Sequence, residues 1–371
     1  MKKAGEVPDR RRRRARATGS AAVCRPDRIA SDLLAWYARG RRDLPWRRSQ
    51  DPYRVWVSEI MLQQTQVERV REFFVRFVDR FPTVESLAAA AEHQVLRLWE
   101  GLGYYRRARQ LHAAAGLLVA EHGGHIPRDV AGLRGLPGIG RYTAAAIASI
   151  AFDLPEPIVE ANSRRVIARL AGHAARLDGP GGDEPIWTIA ATLVPRRQPG
   201  RFNQALMDLG ALVCLPDRPL CGSCPLASHC VARLSGRTAE IPAKGSRPKV
   251  AQLHETAAVI HRAGRVLVVC RRPGEWWEGL WDFPRLPGSG RAAARGIAAA
   301  EAFRPLACGP VRRLGTINHT VTHHRIRLDV VSCAAARPGR TARGRRWVTA
   351  AALEQLAMTA PGRKIARMLS G

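Results

Sequence analysis

The 371-residue chain carries 60 Lys+Arg against 31 Asp+Glu, a formal net charge of +29. That length allows two domains with cores of their own, and that charge predicts attraction to polyanions, nucleic acid above all, with binding that weakens steeply in salt. No apolar run is long enough to span a bilayer and no segment reads as a signal peptide, so the expectation is a cytoplasmic protein with no membrane partner.

Residues 1–27 open on the charge run MKKAGEVPDRRRRRARATGS, too poor in apolar residues to fold, and are expected to be a disordered basic tail. Residues 28–235 read as helix after helix. Segments such as RVWVSEIMLQQTQVERVREFFVRF and RARQLHAAAGLLVAEH place apolar residues at i, i+3, i+4 and i+7, with Gly, Pro and Asp as punctuation. Glu59 stands among Val57, Ile60, Met61 and Leu62. A carboxyl desolvated there would have a raised pKa and could act as an acid; a glutamate on a wet helix face is the plain alternative.

Residues 133–152, LRGLPGIGRYTAAAIASIAF, predict a helix, a Pro-Gly-x-Gly turn and a second helix from Arg141. Gly138 and Gly140 allow a tight turn and close approach by a partner. The N–H groups of the second helix's first turn then face a phosphate. This is a helix–hairpin–helix pattern, a clamp for the DNA backbone that ignores sequence, although an ordinary αα-turn can read LPGIG too.

Cys214, Cys221, Cys224 and Cys230 form a C-x6-C-x2-C-x5-C array. Four thiolates in so short a stretch can ligate one tetrahedral metal or one iron–sulfur cluster. Paired disulfides fit poorly, since nothing indicates export. Zinc ribbons use two C-x2-C knuckles, and this array has one.

Residues 236–252 are polar, basic and proline-containing, and are expected to be a linker. From 253 to 371 the texture changes. HETAAVIHR, RVLVVCRR and HRIRLDVVSCAA read as strands, and AAARGIAAAEAF and GRKIARML as helices, which makes a small α+β domain. No internal repeat is present.

The cysteine spacing resembles the [4Fe–4S] loop of the endonuclease III and MutY family of DNA base-excision glycosylases. Residues 44–70, from LPWR through SQDPYRVWVSEIMLQQTQVERV, are similar to the most specific stretch of the MutY branch. The resemblance covers nearly the whole chain after about residue 28 and implies a mostly α-helical helix–hairpin–helix glycosylase domain with a [4Fe–4S] loop, followed by a C-terminal α+β Nudix-like domain. It implies a monomeric enzyme that hydrolyses the N-glycosidic bond of adenine mispaired with 8-oxoguanine or guanine in double-stranded DNA.

The same resemblance implies roles for single residues. Glu59 would protonate the adenine, Trp46 and Arg47 would line its pocket, and Asp208, where the family usually has Glu, would lie near it. Gln63 and Gln64 would enter the duplex, and Tyr104 would wedge into the stack. The cluster would sit on the four cysteines, with Arg218 of that loop meeting phosphate. In the endonuclease III branch a lysine just beyond the hairpin attacks the sugar; here that residue is Tyr142, which implies base removal without strand cleavage.

Two stretches depart from the family. Where it carries Asp-Gly-Asn the chain reads Glu160-Ala161-Asn162. Glu160 keeps the carboxylate that would face C1′ but is one methylene longer, so either the backbone adapts or the reaction is slow; Asn162, like Tyr142, would support the geometry. In the C-terminal domain the 8-oxoguanine loop, commonly His-x-Phe-Ser-His, is represented by Val321, Thr322 and His323, without the aromatic wedge. A plain hairpin is the alternative there, and the nearby histidines lack a Cys or carboxylate to complete a metal site. Between Pro284 and Gly315 the only acidic residue is Glu301, too few for Nudix phosphohydrolase chemistry. Two other functions stay open at this level: an endonuclease III-like lyase, and a lesion-binding protein with impaired catalysis.

Overall fold

The computed structural model describes residues 25–177, 179, 182–243, 245, 250–288, 296, 306–337 and 344–369. The basic tail up to residue 24, most of the predicted helix AAARGIAAAEAF and part of the predicted linker lie outside these residues.

The first part is helical. Its elements are α1 (Pro26–Gly40), a 3-10 turn (Pro45–Arg47), α2 (Pro52–Leu62), α3 (Val67–Arg80), α4 (Val84–Ala88), α5 (Glu92–Trp99), α6 (Arg106–His122), α7 (Val130–Arg134), α8 (Arg141–Phe152), α9 (Ala161–Ala171), α10 (Glu184–Leu193), α11 (Pro199–Leu212) and α12 (Val231–Leu234). Local chemistry sets several starts. Asp51 accepts from the Tyr53 N–H ahead of Pro52 in α2, and Thr83 and Ser86 close a reciprocal capping box on α4.

These helices bury two apolar clusters. One gathers Trp56, Phe74, Phe77 and Trp99 with the small face of α8. The other gathers Ile29, Leu33, Trp187 and Phe202 from α1, α10 and α11. Tyr142 packs against both, so the first turn of α8 marks the seam between them.

Arg107 of α6 ties the end of α2 in place. Its guanidinium donates to the carbonyls of Ile60 (2.8 Å), Met61 (2.9 Å) and Gln63, and to Thr65 Oγ1 (3.0 Å). It lies between the rings of Trp99 and Tyr104. Burial pushes its pKa down to about 10. Replacement by methionine would keep the stem and strand these carbonyls, each costing about 1–3 kcal/mol when buried and unpaired. Arg107→Met is therefore expected to lower the thermal midpoint by several degrees; an unchanged melting curve would refute this account.

The second part is a seven-stranded mixed sheet with β1 (Ala251–Arg262), β2 (Arg265–Cys270), β3 (Trp281–Asp282), β4 (Arg285–Pro287), β5 (Arg312–Val321), β6 (His324–Ala334) and β7 (Arg345–Thr349), followed by α13 (Ala350–Gln355) and α14 (Ala360–Met368). The order is β3-β2-β1-β6-β5, with β4 on β1 and β7 on β2. β1 and β6 pair in parallel over eleven residue pairs, and the other pairings are antiparallel. Alternation along β1 sends Ala257 and Val259 to a core shared with Ile365 of α14, and Ala258 and Ile260 to a second core on the opposite face. β1 is therefore apolar on both sides, which is why HETAAVIHR reads as a run. The short β3, β4 and β7 carried no comparable signal.

The two parts touch. Leu280 and Ala357 join the first helical cluster, Trp277 packs on it, and Arg363 pairs with Glu100 at 2.6 Å. Among the described residues no helix is long and apolar enough to cross a membrane.

Candidate active site

A cavity of about 570 Å³ opens at the seam between the two helical clusters. Its wall includes Trp46 and Arg47 of the 3-10 turn, Glu59 of α2, Gln63 and Gln64 just beyond it, Tyr142 of α8, Glu160 and Asn162 at the start of α9, and Gln204 and Met207 of α11. Residues separated by more than a hundred positions thus share one wall.

Glu59 is 4% exposed, and its Oε2 accepts a 2.7 Å hydrogen bond from the Tyr142 hydroxyl. Burial pushes its pKa up to about 7, against the Tyr142 hydrogen bond and the Arg47 charge, which lower it. Desolvation, followed by the negative charge of Glu59, drives the Tyr142 hydroxyl well above its ordinary value, so it remains a donor. An acid that holds its proton near neutrality inside a cavity is a group suited to protonating a leaving base.

Glu160 ends the extended segment before α9 and caps that helix. Its oxygens accept from the N–H of Asn162 (2.8 Å) and of Ser163 (2.7 Å), while the Ser163 hydroxyl accepts from the Glu160 N–H (2.9 Å). The longer side chain is thereby curled onto the helix N-terminus, with its carboxylate still on the cavity wall. Asn162 Oδ1 accepts from Arg165, whose guanidinium also reaches the carbonyls of Gly210 and Cys214. Arg165 had no sequence signal beyond lying one turn past Asn162.

Asp208 is not on the wall. It lies behind Arg47, fully buried, and binds both Arg47 and Arg42. Trp46 is 5% exposed and packs edge-on against Phe74.

Of the residues expected to meet DNA, Gln63 and Gln64 line the cavity, whereas Tyr104 and the hairpin residues Gly138, Gly140 and Arg141 do not. Gln64 (φ 55°) and Tyr104 (φ 49°) both sit in left-handed backbone, and both are exposed. Gln63 is turned inward by a bond from its amide to Thr143 Oγ1. In the hairpin between α7 and α8, Gly138 has φ +80°, and a Cβ there would stand 2.8 Å from that of Gln110. Gly140 begins α8 with no side-chain cap and open space around it, so the first N–H groups of α8 have no side-chain partner. Arg141 is exposed, stacked on Trp187 at 4.0 Å and paired with Glu184.

Cys214, Cys221, Cys224 and Cys230 line one small cavity together with Arg169, Arg233 and Thr238. Arg169 donates to Cys214 Sγ and to the carbonyls of Leu215 and Pro216, which pins the loop to α9. Among the described residues no three or more His, Cys, Asp or Glu converge as ligands of a single metal ion. The four cysteines line one cavity, and an all-sulfur donor set is compatible with iron–sulfur chemistry. Arg218, in the same loop, is exposed.

In the sheet domain, Thr322 and His323 form the two-residue turn between β5 and β6, with Val321 and His324 as the last pair. Thr322 has φ 52° and is exposed, and the His323 and His324 rings lie 4.1 Å apart. His324 is 5.0 Å from Trp276, while His319 is set apart against Trp277.

Comparison with known proteins bears on this arrangement as a whole. Residues 57–180 match the HhH-GPD superfamily of base excision DNA repair proteins, and residues 256–368 match the NUDIX domain. The chain is 34% identical to the adenine DNA glycosylase of Rattus norvegicus over 91% of its own length and 77% of the relative's. It is 34% identical to that of Homo sapiens (91% and 73%) and 46% identical to that of Mycolicibacterium smegmatis over a shorter stretch (55% and 69%). Among solved structures, a thermostable thymine-DNA glycosylase aligns with a TM-score of 0.51 and 29% identity, covering 57% of this chain and 97% of that one. With a helix–hairpin–helix domain, a Nudix-like domain and relatives matched over 91% of its length, the chain belongs to the adenine DNA glycosylase family.

Proposed function

We propose that this protein excises adenine mispaired with 8-oxoguanine or guanine in cytoplasmic double-stranded DNA, working as a monomer and leaving an abasic site uncut. One observation carries the reading: a buried glutamate with a pKa near 7, bonded by a tyrosine, shares a cavity with a second carboxylate. Adenine flipped from a mispair enters that cavity at a cost of a few kcal/mol, least where pairing is already poor. Glu59 gives its proton to N7. The C1′–N9 bond breaks with its electron pair going to the base. Glu160, a carboxylate held by the α9 N–H groups, stabilises the cation developing at C1′, and water completes the substitution. Asn162 and Tyr142 hold the two carboxylates in position, and Trp46 and Arg47 bound the base.

The exposed Gln64 and Tyr104 would fill the stack, while Gly138, Gly140 and Arg141 would hold the backbone. Val321, Thr322 and His323 would meet the 8-oxoguanine. The four cysteines would hold a [4Fe–4S] cluster, which supplies a covalent tie fixing the loop that Arg169 braces.

Tyr142 in place of an amine argues against a lyase. The test is single-turnover adenine release from an 8-oxoguanine:A duplex, with matched T:A as control and strand breaks read with and without alkali. Alkali-labile sites only at the mispairs are expected. Breaks without alkali would indicate a lyase, and tight lesion-selective binding without release would indicate a binding protein.

A further inference from the structure

Asp208 is a fully buried charge that does not reach the cavity. Its Oδ1 accepts from Arg42 Nε at 2.7 Å and Arg47 Nη2 at 3.0 Å, and its Oδ2 accepts from Arg47 Nη1 at 2.8 Å. Arg47 is nearly as enclosed, with its side chain 8% exposed. The Tyr37 ring lies 5.9 Å from its guanidinium, and the Tyr37 hydroxyl is occupied with Gln204. Two cations therefore share one anion, and both stand on the same wall as Glu59, Arg47 the more deeply enclosed of the two.

A buried guanidinium deprived of its carboxylate is an uncompensated charge, and a carboxylate within reach would offset it. The carboxylates on that wall are Glu59 and Glu160. Both Glu160 oxygens are bonded to N–H groups of α9. Glu59 is bonded by Tyr142, a neutral donor. We propose that Asp208 is a positioning residue that holds Arg47, and Arg42 with it, away from Glu59, so that Glu59 keeps its proton for the base. The inference rests on the reading of Glu59 as proton donor.

The other groups around Glu59 do not supply this control. From α8 comes only the Tyr142 hydroxyl, and Glu160 at the start of α9 raises the Glu59 pKa. From α6, Arg107 is engaged by the carbonyls at the end of α2. α3 adds Val70 and Phe74 to the shared core, while its Arg71 is held by the Asp43 carbonyl. α11 contributes Met207, whose sulfur is 3.5 Å from the Tyr142 hydroxyl, besides Asp208 itself. Arg47 is the cation that lowers the Glu59 pKa. A guanidinium brought to within about 4–6 Å of a carboxyl lowers its pKa by about 1–3 units.

The experiment is the pH profile of single-turnover adenine release on an 8-oxoguanine:A duplex. In D208N the alkaline limb is expected to move toward acid by about a unit or more, a roughly tenfold or greater loss above the limb that recovers on acidification. D208E, which restores the charge, is expected to keep the wild-type limb, and R47Q added to D208N to move it back. A uniform loss at every pH, or an unmoved limb, would overturn the proposal. Should D208N not fold, R47Q alone decides: it keeps the Asp208–Arg42 pair, and a limb displaced toward acid would overturn the proposal equally. E59Q separates this from the reading beneath it. If the limb persists in E59Q, Glu59 is not the donor, whatever D208N does.

Discussion

Glu59→Gln is expected to lose about 10²–10⁴-fold in adenine release, the usual contribution of a positioned acid, while leaving the protein more stable at alkaline pH. The two effects share one cause. Glu59 is 4% exposed and its pKa is pushed up to about 7 by burial, against an ordinary value of 4.5. For a carboxyl whose pKa is raised on folding, stability is fully present below the unfolded value and is lost as pH climbs through the folded one. Ionised Glu59 thus weakens the fold above about pH 7, by about 3 kcal/mol for a shift of this size. Glutamine carries no such penalty and can still accept the Tyr142 hydroxyl. Melting curves of the two proteins should coincide below about pH 4.5, diverge between there and pH 7, and stay apart above it, with the variant higher. In the wild type, release should be level below about pH 7 and fall tenfold per unit above it. Equal stability at alkaline pH would mean that Glu59 is solvated, and with it the acid role would fall.

The second large effect is at Glu160. Its oxygens accept two N–H groups at 2.7 and 2.8 Å, and Ser163 returns the bond to the Glu160 N–H. That network is complete around a glutamate. Glu160→Ala should therefore lose about 10²–10³-fold in rate as the carboxylate leaves the cavity, together with about 0.5–2 kcal/mol as α9 loses its cap. Glu160→Asp keeps a good cap but draws the carboxylate back toward the helix. A displacement of about 1 Å can cost about 100-fold, so the aspartate variant should be slower despite its closer likeness to relatives. A faster Glu160→Asp enzyme would show that glutamate holds the charge off C1′, and that this chain works mainly by binding lesions. Single-turnover rates with melting curves separate loss of chemistry from loss of the cap.

Much of the fold was legible locally. The apolar spacing of α2, α3 and α6 and the apolar runs of β1 and β6 reflect how each backbone buries its faces, and the Pro-Gly-x-Gly turn before α8 reflects the freedom of glycine. The cysteine array declares itself because ligands to one centre must lie close in the chain when the loops between them are short. Glu59 stood in an apolar helix, but its pattern alone favoured a solvent-facing glutamate, and the family-like residues around it pointed to the acid. Two families of contact could not be read this way. The resemblance set Asp208 near the adenine; it lies behind Arg47, because α11 turns it toward the 3-10 turn and sends Met207 to the cavity. Arg107 carried no signal in the sequence, and it closes the end of α2.

The sequence by itself determined which segments become helices or strands, where the hairpin and the cysteine loop lie, and which family they resemble, because those properties depend on neighbours within a few residues. Only the tertiary structure decided which charges are buried together: the pairing of Asp208 with Arg42 and Arg47, the bond from Tyr142 to Glu59, and the reach of Arg165 from Cys214 to Asn162. Those contacts join helices distant in sequence. Their strength comes from the exclusion of water, a property that no local pattern of residues records.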